Sequence, residues 1–253
     1  MSVKNLQIIH APTSESPFLV IAKPAGLPSA PLRDGDESVL ARAIEMFPVI
    51  AEIHGKKEIE HGLVHRIDTE TSGLVLIAST QESYDALISS QRDGLFEKWY
   101  RADCDFIPDC AETLGAFPPY PAMEKIFENT AQKALTLEVK SAFRPFGEKG
   151  REVRPVTESS GRAALKKSGA RLYRTEIQID ANGSALCHIS AGYRHQVRCH
   201  LAWCGFPVKG DRIYNPRDRK LNESNGKEHD MRFEAVRISF PHPLTKVPLA
   251  FQM

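Results

Sequence analysis

The segment that most constrains this chain is 61–78, which reads HGLVHRIDTETSGLVLIA. Its end, LVLIA at 74–78, is a short uncharged run of leucine and β-branched side chains, the pattern of a buried strand. Its start is charged, with Arg66 two residues before Asp68 and a Thr-Glu-Thr-Ser-Gly turn after it. Gly73 stands where turn meets strand, a position where a positive φ is predicted. A charged loop held on a core strand is a common place for chemistry. Taken alone, Asp68 reads equally well as an ordinary loop carboxylate or a helix cap.

The 253 residues are 42% hydrophobic, enough for a sizeable core in one large domain or two small ones. No run approaches the roughly 18 apolar residues of a membrane helix, and 1–16 lack the apolar core of a signal peptide. Five cysteines, odd in number and without a C-x-x-C pair, point to a reduced, cytoplasmic protein. Net charge is only +1, but it is unevenly spread. From residue 131 onward there are 22 Lys and Arg against 12 Asp and Glu; the earlier part holds 11 against 20. Such asymmetry hints at a polyanion partner, set against a plain solvated surface of mixed charge.

In chain order, 18–22 (FLVIA) reads as a strand running into the turn KPAGLP at 23–28. Asp36 is positioned to cap a helix from Glu37, with Val39, Leu40, Ala43, Ile44 and Phe47 as its apolar face and Pro48 as its stop. Ser79-x-x-Glu82 predicts the cap of a second helix, ending near Gly94. Residues 98–106 alternate as a half-buried strand, with Tyr100, Ala102, Cys104 and Phe106 on one side. Residues 117–121 are irregular, and Leu135, Leu137 and Val139 mark a further strand. The basic stretch 145–167 reads as a mobile loop without core. Strands at 173–179 and 185–189 flank an Asn182-Gly183 hairpin turn. Val197, Leu201 and Cys204 follow helical spacing up to Gly205. Residues 215–230 read as polar and exposed, and 233–240 as a last strand. The fold class is α+β with a mixed, largely antiparallel sheet. No linker divides the chain, so 1–253 reads as a single catalytic domain with no N-terminal RNA-binding accessory domain.

Residues His65, Arg66, Ile67, Asp68, Thr71, Ser72 and Gly73 resemble the H-R-L-D-x-x-T-S-G signature of the RluA-type pseudouridine synthases. Four further segments, in the same order, extend the resemblance. They are VIAKPAGL (20–27), Lys98-Trp99-Tyr100, AGYRHQVRCH (191–200) continued by G-x-P-x-x-G-D-x-x-Y (205–214), and Phe233-Glu-Ala with Pro241-His-Pro. One departure is the G-Y-R that precedes His195-Gln196, which sets Arg194 one step later than the family pattern.

The resemblance implies a synthase-like fold with flanking helices and a central cleft, and an enzyme that isomerises uridine in RNA. The reaction breaks N1–C1′ and joins C5 to C1′, so neither cofactor nor metal is expected. Asp68 would be the catalytic residue, attacking C1′ or assisting elimination through a glycal. Arg198 would supply its counter-charge. Tyr100 would stack on the uracil and help remove the C5 proton. Substrate contacts fall to Arg66, Arg194, His195, Gln196 and Val197. Arg66 has a structural ion pair as its alternative reading, and Arg194 would share a helical face with Arg198 if the segment is helical. Lys and Arg between 144 and 174 would grip the RNA backbone, and the target base must be flipped out.

The expected partner is ribosomal or transfer RNA, with no membrane and a monomeric chain. A zinc reading of His61, His65 and Asp68 fails on Gly62 and the turn that follows. His65, His195 and His200 read as hydrogen-bonded structural residues. Two rival functions remain: a catalytically silent RNA-binding protein on the same fold, and a hydrolase of the nucleoside bond.

Overall fold

The structure, a computed structural model, describes residues 6–120, 134–223 and 230–253. The strands in chain order are β1 (Gln7–His10), β2 (Phe18–Lys23), β3 (Ser72–Ala78), β4 (Glu97–Asp103), β5 (Leu135–Phe146), β6 (Glu152–Val156), β7 (Tyr173–Ile179), β8 (Ser184–Ile189), β9 (Phe233–Pro241) and β10 (Pro248–Gln252). The helices are α1 (Val39–Met46), α2 (Gln81–Arg92), α3 (Cys110–Leu114), α4 (Arg162–Leu165), α5 (Gln196–Trp203) and α6 (Pro216–Glu223). The class is α+β, and the sheet is mixed and largely antiparallel. Contacts gather into two units, the described part of Met1–Trp99 with Glu234–Met253, and Tyr100–Phe233. No helix among the described residues is long and apolar enough to cross a membrane.

In the first unit, β2 pairs antiparallel with β1 and with β3, from Phe18↔Ala78 to Lys23↔Gly73. All six residues of β2 are buried, so the FLVIA run needs no polar alternation. β3 then joins β9 in parallel through Ser72↔Glu234 and Gly73↔Ala235. Gly73 has φ +117°, and a Cβ there would lie 2.3 Å from the Ala235 carbonyl oxygen, so only glycine admits this approach. Phe18, Leu74, Leu76, Phe96 and Phe240 form the core, onto which α2 lays Tyr84 and Leu87.

Three expectations for this unit shift. The α1 cap is Ser38, whose hydroxyl accepts from Ala41 N, because Asp36 is occupied closing its own turn on Arg33 N. The α2 cap is Thr80 rather than Ser79, since Ser79 N still bonds to Pro17 O beside the strand. The strand at 233–240 is not the last, because β10 folds back on β9 from Pro248↔Pro241 to Gln252↔Arg237.

In the second unit, β5 pairs antiparallel with β7 along its first half and with β6 along its second. β7 continues into β8 through the Asn182-Gly183 turn, with Gly183 at φ +81°. The expectation of a coreless loop over 145–167 is overturned over 145–156, while 157–167 holds no buried residue. β5 runs to Phe146, and four of the five β6 residues are buried. The basic composition misled because Arg154 is fully buried. Its Nε donates to Gly115 O at 2.8 Å, Nη1 to Val153 O at 3.0 Å and Nη2 to Leu114 O at 3.2 Å. Phe117 and Phe146 lie 4.6 and 4.2 Å from the guanidinium, covering it with aromatic rings. Carbonyls, ring faces and the Glu152 carboxylate, 2.7 Å from Nη2, together satisfy a cation that composition alone assigns to solvent. The exposed reading of 215–230 also fails at its start. Asn215 is buried, donating to Asp105 and Val208 O, and α6 follows it. Residues 121 and 224–229 of the two polar or irregular stretches lie outside the described residues.

Candidate active site

Asp68 sits in the first unit on the loop between the bend at 61–65 and β3, half-buried. Its two chain neighbours are fixed by the KPAGLPS segment. On one side, the Ser29 hydroxyl donates to Ile67 O at 2.8 Å and accepts from Ile67 N at 3.1 Å. On the other, Thr69 O accepts from Gly26 N at 2.8 Å and from Lys23 Nζ at 2.9 Å. Lys23 Nζ also donates to Pro24 O and Leu27 O, so a buried ammonium holds three carbonyls at once. Thr71 N closes the turn on Asp68 O at 3.1 Å. Gly26, at φ +82°, supplies the bend that turns its N–H toward Thr69.

Burial lowers the Lys23 pKa to about 8, and the negative charges of Glu70 and Asp68 oppose that shift. Lys23→Met would take the ammonium donor from Pro24 O and Leu27 O, while Thr69 O would keep Gly26 N. The expected loss is about 2–3 kcal/mol, read as a lower urea midpoint, together with slower turnover at saturating RNA.

Arg66 is half exposed and its Nη1 lies 2.9 Å from Glu60 Oε1, which realises the structural ion pair. His65 is buried; its Nε2 accepts from Leu76 N at 3.1 Å, and its ring tilts on Phe96. Arg237 lies over the Trp99 ring, 4.5 Å from its centroid.

In the second unit, Tyr100 is buried with its ring stacked flat on Phe233 at 5.1 Å and 8°. Helix α5 carries Gln196, Val197 and Arg198, all buried. His195 caps it in a left-handed conformation, φ 56°, with Nδ1 3.1 Å from the Tyr214 hydroxyl. Because α5 starts at Gln196, Arg194 is not on its face. Arg194 is exposed instead, and its Nη2 donates to Gly150 O and Glu152 O beside β6. A chain of polar groups ties α5 to the sheet. Gln196 Nε2 donates to Thr175 Oγ1, which meets His200 Nδ1 at 2.8 Å, and His200 Nε2 meets Ser141 Oγ at 2.9 Å.

These histidines set an acid limit. Burial holds His200 at about 3. Burial, and then the Lys98 charge, hold His65 well below its usual value. Unfolded, both would take up protons near 6.5. Their contribution to stability is therefore complete above that pH and lost as pH falls toward the folded values. The slope is up to about 1.4 kcal/mol per pH unit for each histidine. Urea midpoints measured from neutral to mildly acid pH should fall accordingly, and His200→Gln should flatten the fall.

The most consequential pair was not legible from the sequence. Arg198 Nε and Nη2 donate to Asp211 Oδ2 and Oδ1 at 2.7 and 2.8 Å, both side chains being buried. Asp211 also accepts from Ile213 N and Tyr214 N. Burial alone would raise the Asp211 pKa; the Arg198 charge and these hydrogen bonds outweigh it and hold the carboxyl below its ordinary value. The usable signal was G-D-x-x-Y, in which an aspartate capping the amides two and three residues on is an Asx-type turn. Among the described residues, no group of three or more His, Cys, Asp and Glu is placed to hold a metal ion. The predicted residues thus fall into two sets, Arg66 and Asp68 in the first unit, and Tyr100 with 194–198 in the second.

An antiparallel-rich α+β fold bearing an aspartate loop clasped by a K-P-x-G-L turn defines a class, and the comparisons agree. The family model described as RNA pseudouridylate synthase matches residues 17–203. The chain belongs to that family, in its RluA-type branch. It is 25% identical over 232 residues to ribosomal large subunit pseudouridine synthase D of Zymomonas mobilis, covering 90% of this chain and 63% of that protein. It is 25% identical to the protein of the same name from Pseudomonas aeruginosa, covering 85% and 55%. The chain therefore spans about three fifths of the length of these relatives. Among solved structures, human RNA pseudouridylate synthase domain containing 1 superposes with a TM-score of 0.62 at 17% identity, covering 100% of this chain and 84% of that one. That likeness concerns the fold.

Proposed function

We propose that this chain converts uridine to pseudouridine in a structured RNA, with Asp68 as the catalytic carboxylate. The observation that carries the reading is the two-sided clasp on Asp68. Backbone on both flanks is fixed by buried donors and acceptors, while the carboxylate itself stands on a loop of a chain that belongs to the synthase family. Fixing the backbone pre-organises the charge before substrate arrives. Nothing is added or removed in the reaction. The N1–C1′ bond breaks, the base turns, C5 bonds to C1′, the C5 proton leaves and N1 regains one. Such a balance calls for no redox partner or energy source. Asp68 serves ionised, either by attack on C1′ or by taking the 2′ proton on the way to a glycal.

The remaining roles rest on the motif resemblance. Arg198 is proposed as the counter-charge of the catalytic carboxylate, oriented by its bidentate hold on Asp211. Tyr100, its plane fixed by Phe233, is proposed to stack on the uracil. Val197, His195, Gln196, Arg194 and Arg66 are proposed as substrate contacts, and the two units as one monomeric catalytic domain. Ribosomal RNA is the favoured substrate over transfer RNA, because the relatives from Z. mobilis and P. aeruginosa are named for the large ribosomal subunit.

The test is tritium release from RNA carrying C5-tritiated uridine, run on ribosomal and transfer RNA separately. Release with retention of the RNA chain and base count supports the proposal. No release from either pool leaves the silent RNA-binding protein as the better account. Free uracil and abasic sites would mean a hydrolase.

A further inference from the structure

We infer that residues 157–172, between β6 and β7, form an arm that grips the phosphate backbone of the substrate RNA; this rests on the RNA-isomerase reading above. The arm leaves and returns at one place. Val156 pairs with Ala142 and Tyr173 with Ser141, adjacent residues of β5. It is a loop of the Ω type, closed at its root. No residue in it is buried, and Leu165 and Leu172 are exposed, so hydrophobic packing does not account for it. Its own hydrogen bonds shape it. After α4, Lys166 N bonds to Arg162 O and Lys167 N to Ala164 O.

Its charge is one-sided. Arg162, Lys166, Lys167 and Arg171 face a single acidic residue of the arm, Glu158, and all four cations are exposed. Some arginines elsewhere in this unit are matched by carboxylates, whereas Arg144 and Arg194 reach backbone carbonyls. Arg174 meets Glu138 and Glu176, Arg198 meets Asp211, Arg217 meets Asp105, and Arg219 meets Glu152. Among the described residues, Arg162, Lys166 and Lys167 have no ion partner. Arg171 stands over the Tyr173 ring at 5.4 Å, and Tyr173 tilts against Tyr193 at 5.2 Å. A run of charge is commonly just a solvated face. This one differs because its root is bonded to the helix that carries Arg198. Gln196 Nε2 donates to Arg174 O and to Thr175 Oγ1, and His200 is held between Thr175 and Ser141. Exposed cations on an anchored arm, three of them without an ion partner, suit phosphates, which carry charge at every nucleotide and no sequence. An acidic protein is the competing partner, and the experiment separates the two.

The full chain is compared with a variant carrying Arg162→Gln, Lys166→Gln, Lys167→Gln and Arg171→Gln, and with a charge-retaining variant, Arg162→Lys, Lys166→Arg, Lys167→Arg and Arg171→Lys. Binding of a fluorescein-labelled stem-loop RNA is followed by anisotropy across a KCl series. The glutamine variant should lose about two to three from the slope of log affinity against log salt, and about 10- to 100-fold in affinity near physiological salt. Its single-turnover rate at saturating RNA and its urea midpoint should match wild type, and the charge-retaining variant should keep the wild-type slope. An unchanged slope in the glutamine variant overturns the inference. So does an equal loss in the charge-retaining variant, or a loss confined to binding of polyglutamate. Failure of the isomerase reading looks different: wild type would bind RNA with the full slope yet release no tritium.

Discussion

Asp68→Asn is expected to reduce tritium release from C5-tritiated RNA by at least ~10⁴-fold, the scale seen when the central residue of a catalytic set is removed. RNA affinity should be retained. The reason lies in how the loop is held. Ser29, Gly26 and Lys23 bind the main chain of Ile67 and Thr69, and Thr71 binds the main-chain oxygen of residue 68. None of these contacts involves the carboxylate, and asparagine has nearly the same shape, so the loop should keep its form. What is lost is a charge and a nucleophile. Lys23 would also lose one of the two negative neighbours that support its proton, moving its titration below about 8. Residual turnover within tenfold of wild type would rule out Asp68 as the catalytic group.

Asp211→Asn is expected to cost about 3–5 kcal/mol of stability, because it removes the bidentate carboxylate partner of a buried guanidinium. The urea midpoint would fall while the slope of the transition stays unchanged. A double replacement, Asp211→Leu with Arg198→Met, removes both charges and should recover most of that stability. Turnover should not recover with it. If the double variant regained both stability and turnover, the pair would be purely structural and Arg198 would have no place in the reaction.

Much of the frame was legible because local physics and tertiary structure agree. The FLVIA and LVLIA runs became β2 and β3, 173–179 became β7 with those bounds, and Gly73 took the positive φ asked of it. Cap positions slipped by a residue or two because several polar side chains at 36–38 and 79–80 compete, and tertiary hydrogen bonds choose between them. The buried β6 was illegible for a different reason. Besides nearby Glu152, its arginine is satisfied by carbonyls of Leu114 and Gly115 and by Phe117, some forty residues earlier in the chain, and no local pattern carries those distant contacts. The Arg198–Asp211 pair was hidden in the same way. The roles of individual site residues came from ordered motifs, whereas the clasp that explains why K-P-x-G-L accompanies the aspartate became visible only in hydrogen bonds.

The unit that carries Asp68 is discontinuous, and that has a bearing on biosynthesis. β3 needs β9 beside Gly73, and β9 needs β10, yet both come from residues translated after the whole of Tyr100–Phe233. On the ribosome, the contiguous unit can mature while the earlier segment waits with an unfinished sheet edge. Completion of the Asp68 scaffold thus waits until β9 and β10 have been made, and a nascent chain stopped before β9 would hold the Asp68 signature without that scaffold.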